Sequence, residues 1–106
     1  MQGRIEIING EIIAKIPIEL MKEGDKVIVY THSLDLCGYG TTANEARKDF
    51  DNALQIFFDE TLEHKTLDRV LEEQGWKKII EVKQQYWVPQ VQVINSSVEE
   101  FKLSAA

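Results

Sequence analysis

"LCGYGTTANEARKDF", residues 36–50, decides how the rest of the chain is read. Within it, Gly38, Gly40 and Ala43 satisfy the loose G-x-G-x-x-[G/A] spacing of a loop that cradles a nucleotide pyrophosphate. The same residues also describe a strand that leaves a sheet through glycines and enters a helix. A dinucleotide fold needs a second, parallel strand after the helix, ending in an acidic residue ~20 positions on. Asp59 and Glu60 stand there, inside a helical pattern, and a further helix precedes any strand. Thr42-x-x-Glu45 has the form of a capping box, in which Thr42 accepts from the Glu45 N–H and the Glu45 carboxylate reaches back to the Thr42 N–H. That places a negative charge where a pyrophosphate would sit. A Thr cap contributes about 1 kcal/mol to the helix. No Gly-Lys-Ser/Thr follows, so the other phosphate-loop pattern fails as well. The stretch reads as a strand-to-helix joint.

Downstream, Ala46, Phe50, Ala53, Leu54, Phe57, Phe58 and Leu62 recur at three- and four-residue spacing, one face of an amphipathic helix. No Gly or Pro interrupts residues 43–64, which allows a helix ~33 Å long. Arg47, Lys48, Asp51, Asn52, Asp59 and Glu63 fall on the other side. "TLDRVLEEQGWKK" predicts a second helix from Thr66, with Gly75 at the left-handed C′ position and Trp76 folding back on Leu71. "KKIIEV" and "YWVPQVQVI" read as two further strands, Pro89 confining the second to an edge or a split strand. In the last stretch Ser97-x-x-Glu100 is a helix-start signal, for a short helix or a frayed tail.

Upstream, isoleucine-rich runs flank Asn9-Gly10, whose positive φ angles suit a type I′ turn, so residues 4–8 and 11–16 form a hairpin. Pro17 marks a sheet edge or a break. A second hairpin turns at Glu23-Gly24-Asp25, its returning strand "VIVY" apolar on both faces, and "SLDLCGYG" adds a short strand after a turn near Ser33. The expected architecture is a single α+β domain over residues 1–106: an antiparallel sheet of N-terminal hairpins plus a third strand, one long helix packed on it, a short helix and C-terminal strands.

The 106 residues suffice for one core, and 43% hydrophobic with 28% charged residues is ordinary for a globular protein. Twelve Lys and Arg against 18 Asp and Glu give a net charge of −6. That charge repels nucleic acid and suits a basic protein partner. A single cysteine, Cys37, fits a reducing cytoplasm, and neither a signal-peptide pattern nor a membrane-length apolar run is present, so a cytoplasmic protein without membrane contact is expected. Cys37 and His32 lie five apart on opposite faces of an extended chain, and Cys37 reads as a small buried hydrophobe. His32 and His64 lack neighbours at metal-ligand spacing. Asp25, Asp35, Glu45 and Asp49 read as a solvated acidic rim rather than a magnesium site. The expectation is no catalytic residue, no metal and no cofactor.

Residues 16–58 resemble the N-terminal domain of HicB-family antitoxins. The resemblance runs through Glu23-Gly24-Asp25, "VIVYTHSLDL", and Gly38 with Gly40-x-Thr42-x-x-Glu45-Ala46 opening the long helix "ARKDFDNALQIFFDE". It implies a partial ribonuclease-H-like fold without catalytic carboxylates. It also implies a role: binding and neutralising HicA, a small basic toxin that cleaves mRNA. Glu45, Asp49, Asp59 and Glu60 are the acidic residues expected to face such a partner. The chain departs from the family pattern in an N-terminal hairpin arm (residues 1–15) and a C-terminal extension (77–106) without a basic recognition helix, which argues against direct DNA binding. The alternative reading is an orphan HicB-like interaction domain with no toxin, forming a homodimer or higher homo-oligomer through the N-terminal hairpin.

Overall fold

A computed structural model describes residues 3–82, 84–91 and 93–104. The chain runs β1 (Arg4–Ile8), β2 (Glu11–Lys15), β3 (Glu19–Glu23), β4 (Lys26–Thr31), β5 (Leu36–Gly40), α1 (Ala43–Glu63), α2 (Leu67–Glu73), β6 (Trp76–Glu81) and β7 (Gln84–Pro89). The fold is α+β, and its strands divide between a four-stranded antiparallel sheet, β2-β1-β7-β6, and a three-stranded one, β3-β4-β5. Pro17 lies at the break between them, where its carbonyl accepts from the buried Thr31 hydroxyl at 2.8 Å.

Local chemistry fixes the hairpins. Asn9 and Gly10 have φ of 51° and 79°, the paired positive angles of a type I′ turn. Gly24 alone is positive in the second turn, at 59°, which is the type II′ pattern. The first hairpin is not a free arm: β1 pairs with β7 through Ile5–Trp87, Glu6–Tyr86 and Ile7–Gln85. β7 is therefore an inner strand, contrary to the edge that Pro89 suggests. Pro89 is its last residue, beyond the end of the β1 pairing, so its missing N–H breaks no ladder there. The strand does not extend over Gln90 and Val91 or appear at Val93 and Ile94, the remaining residue of that expected strand lying outside the described ones, and the Ser97 signal starts no helix; its hydroxyl turns to Glu99 instead.

α1 joins the two sheets. Its first half lays Ala46 and Phe50 on Val29, and its second half lays Phe58, with Leu54 and Phe57, on a larger cluster of Ile5, Leu34, Leu67, Leu71, Trp76 and Trp87. Thr61, not Leu62, takes the next buried position, its hydroxyl donating to the Phe57 carbonyl at 2.7 Å while Leu62 stays largely exposed. The helix closes on a Schellman pair, Thr66 N–H to Thr61 O at 2.8 Å and Lys65 N–H to Leu62 O at 3.2 Å, with Lys65 at φ 57° where glycine is usual. Gly75 takes the left-handed position after α2, and Trp76 joins Leu71 in the core as expected. The Trp76 indole donates to the Ser33 carbonyl at 2.9 Å and Gln74 to the Leu34 carbonyl at 3.0 Å, pinning the β4–β5 turn to the larger sheet.

Candidate functional site

The glycines of residues 38–40 are where α1 touches β5. A Cβ on Gly38 would lie 2.2 Å from the Phe50 nitrogen and 2.6 Å from the Ala46 carbonyl oxygen; one on Gly40 would lie 2.6 Å from the Ala46 nitrogen. Helix backbone occupies the space that a side chain at either position would require. The absence of a side chain here serves close helix–strand packing, and Ala46, fully buried, continues the contact on the helix side.

The polar groups of the motif close on one another. Thr42 accepts from the Glu45 N–H at 3.2 Å. The Glu45 carboxylate accepts from the Thr41 N–H at 2.9 Å and the Thr41 hydroxyl at 2.7 Å, one residue earlier than the simple box places it. The Thr41 hydroxyl, then its N–H, hold the Glu45 carboxyl below its usual range. One helical turn on, the Asp49 carboxylate accepts the Tyr39 N–H at 2.8 Å and so covers the free edge of β5. Asp59 lies farther along α1, accepting from Gln55 at 2.8 Å, with Glu60 beside it on the exposed side. The four acidic residues thus form two pairs at separate places on the helix, and the first pair is engaged in holding the β5–α1 joint.

Among the described residues no helix covers the other surface of the small sheet. Val29 and the glycines face α1, so the alternate positions Met21, Ile28 and Tyr39, and Glu19, Tyr30 and Cys37, form cross-strand rows on the opposite side. Tyr39 is 49% and Met21 39% exposed. The Cys37 thiol is half-buried rather than buried and lies 3.1 Å from the Tyr39 hydroxyl, because its strand position turns it away from the core. The Tyr30 hydroxyl donates to Asp35 at 3.0 Å, with His32 Nδ1 3.5 Å away. These contacts raise both phenols above the ordinary tyrosine value: Tyr30 chiefly through Asp35, Tyr39 chiefly through Cys37. At the end of this face an open groove of about 520 Å³ is lined by Glu23, Asp25, Lys26, Tyr39, Gly40, Thr41 and Glu45, and the Lys26 ammonium sits 5.2 Å from the Tyr39 ring. The aromatic wall thus already carries a cation of the chain itself, while Glu23, Asp25 and Glu45 leave the rim with an excess of negative charge. Among the described residues no group of His, Cys, Asp or Glu could hold a metal ion.

The joint is legible in the sequence, and this surface is not. The run "VIVY", apolar on both faces, is its one signal, and the pairing that puts Met21 and Tyr39 on either side of Ile28 appears only in the folded register. No protein-family model matches the chain, and neither a curated protein nor a solved structure does. Among the described residues no helix is long and apolar enough to cross a membrane.

Proposed function

We propose that the chain is a HicB-like antitoxin without catalytic activity, acting in the cytoplasm by covering a small basic HicA-type toxin that cleaves mRNA. The observation that carries this reading is the fate of the Gly40-x-Thr42-x-x-Glu45-Ala46 motif. Its glycine is filled by helix backbone and its hydroxyl and carboxylate are bound within the joint, which leaves the motif no group for chemistry. Function then falls to surface. The net charge of −6, the Glu23–Asp25–Glu45 groove and the exposed Asp59–Glu60 pair support capture of a basic partner by electrostatic steering. Direct operator binding finds no support in this charge, and the reading needs no cofactor.

The test is co-expression with any small basic reading frame that neighbours the gene for this chain. Relief of that protein's toxicity, co-purification, and an association rate that falls steeply with salt are expected. A partner that neither co-purifies nor becomes tolerable to cells refutes the reading. The orphan interaction domain would then stand in its place, a reading favoured by one further feature, the uncovered edge of β3.

A further inference from the structure

We infer that the groove between the end of α1 and the sheet face around Trp87 is a binding site for a small organic carboxylate, one that carries a short apolar chain. The site lies on the larger sheet and owes nothing to the antitoxin reading. Among the described residues three buried polar side-chain atoms have no hydrogen-bond partner: Ser33 Oγ, Gln74 Oε1 and Trp87 Nε1. The first belongs to a rotatable hydroxyl, and the second to an amide whose other end already donates to the Leu34 carbonyl. The Trp87 indole is different. Its N–H is fixed by a ring that is only 2% exposed, and it can donate but never accept. Trp76 shows the ordinary solution, since its indole N–H meets the Ser33 carbonyl at 2.9 Å.

The sheet gathers further donors around this N–H. β6 sets Lys78 opposite Trp87, and β1 sets Ile7 opposite Gln85, two residues along the same face of β7. α1 ends at Glu63 and α2 begins at Leu67, so Leu62, Lys65 and Leu67 complete a groove of about 280 Å³. Lys65 is held at its rim by the left-handed turn, φ 57°, and has no ion-pair partner among the described residues. The Lys78 ammonium stands 5.5 Å from the centre of the Trp87 ring and bonds Asp68 at 2.9 Å. Two ammonium groups thus share the groove with one carboxylate, in a chain whose net charge is −6. Glu81, in the adjoining groove, is taken up by Gln84 at 3.2 Å and Tyr86 at 2.9 Å.

These groups define the ligand. An indole N–H and two ammonium groups recognise acceptors alone, and the excess positive charge selects an anion. A carboxylate has the oxygens required: one accepts from the Trp87 N–H and the other from Lys78, whose flexible stem lets the ammonium swing from Asp68 and uncover the indole. Lys65 adds the second positive charge. Ile7, Leu62 and Leu67 then cover the apolar chain, a wall that inorganic phosphate would leave bare.

The chain has two tryptophans and so two indole N–H peaks in a proton–nitrogen correlation spectrum, which Trp87→Phe assigns. Titration of the full chain with sodium hexanoate at constant ionic strength should move the Trp87 peak downfield to saturation and leave the Trp76 peak in place. Hexanamide has the apolar chain without the charge, and inorganic phosphate the charge without the chain; at the same concentration neither should move it. Asp68→Asn removes the competing carboxylate and should tighten hexanoate binding about threefold, while Lys65→Gln, at an exposed position, should weaken it about threefold. A Trp87 peak that hexanoate leaves unmoved, an equal response to hexanamide, or an affinity indifferent to both variants would overturn the proposal. An equal response to phosphate would overturn it too, by showing an adventitious ion only.

Discussion

Gly38→Ala tests the reading of the glycine stretch directly. The added methyl would meet the Phe50 nitrogen at 2.2 Å, the Ala46 carbonyl oxygen at 2.6 Å and the Phe50 Cα at 2.7 Å, all main-chain atoms that no rotamer change can move. Ordinary contact lies near ~3.5 Å, so the helix must lift from β5 by about 1 Å. A gap of that size forfeits roughly a quarter to a half of the local dispersion energy, here between Ala46, Phe50 and Val29. Overpacking costs about 1–3 kcal/mol when side chains share the adjustment; with backbone alone to move, about 3 kcal/mol is expected. Gly10→Ala is the control: nothing lies within 4 Å of its Cβ, so only its φ of 79° is penalised, at roughly 1 kcal/mol. Urea unfolding followed by the fluorescence of Trp76 and Trp87, both buried in the other cluster, reports global stability. The difference of about 2 kcal/mol should separate the two midpoints by on the order of 1 M urea. Equal midpoints, or a Gly38→Ala protein within about 1 kcal/mol of wild type, would mean that α1 does not rest on β5 here, and the phosphate-loop reading would return.

Lys65→Gly relieves a left-handed residue at φ 57° and should stabilise by up to about 1 kcal/mol, raising Tm by roughly 4–8 °C; no rise in a thermal melt would count against the Schellman assignment. Glu45 has its folded-state pKa below the usual 4.5, so its contribution is complete above that value and is lost as pH falls through the lower folded one. The urea midpoint of wild type should therefore exceed that of Glu45→Gln at neutral pH and converge with it in acid, and a gap independent of pH would refute the Thr41–Glu45 contact. Each of the three tyrosines has a raised pKa: Tyr30 through Asp35, Tyr39 through Cys37 and Tyr86 through Glu81. The midpoint of each phenolate absorbance change in the folded protein should thus lie above the ordinary value of 10.0, and a tyrosine whose midpoint lies at or below it contradicts the contact named for it.

Elements governed by neighbours in sequence were legible in advance. Asn9-Gly10, Gly24, the Thr42 cap and the helical period of Ala46, Phe50, Leu54 and Phe58 each act within a few residues, and each hairpin and helix appears where those signals put it. What failed depends on pairing between distant segments. Pro89 looked like an edge marker because its own strand gives no sign that β1 ends before reaching it. The N-terminal hairpin looked like an arm because β7, its partner, lies some eighty residues away, as Ile5–Trp87 shows. Cys37 looked buried on residue type alone, yet the register of β5 turns it to the uncovered face.

The same logic limits what the motif says about function. Its residues are constrained because α1 must approach β5 closely, and once that approach is made Glu45 and Asp49 are held at the joint. Asp49 has a further consequence, since covering the Tyr39 N–H closes one edge of the small sheet and leaves β3 as its remaining open one. A helix that packs so tightly over β5 and β4 also cannot reach β3, which is why Leu20 is bare while Val29, its cross-strand partner, is fully buried. The close packing that the glycines allow is thus what leaves Leu20 uncovered, and a change that lifts the helix should loosen the whole small sheet along with lowering stability. Gly38→Ala is expected to speed amide hydrogen exchange in β4 and β5 as well as to weaken the fold, whereas Gly10→Ala, on the other sheet, should lower stability and leave the local exchange of β4 and β5 unchanged.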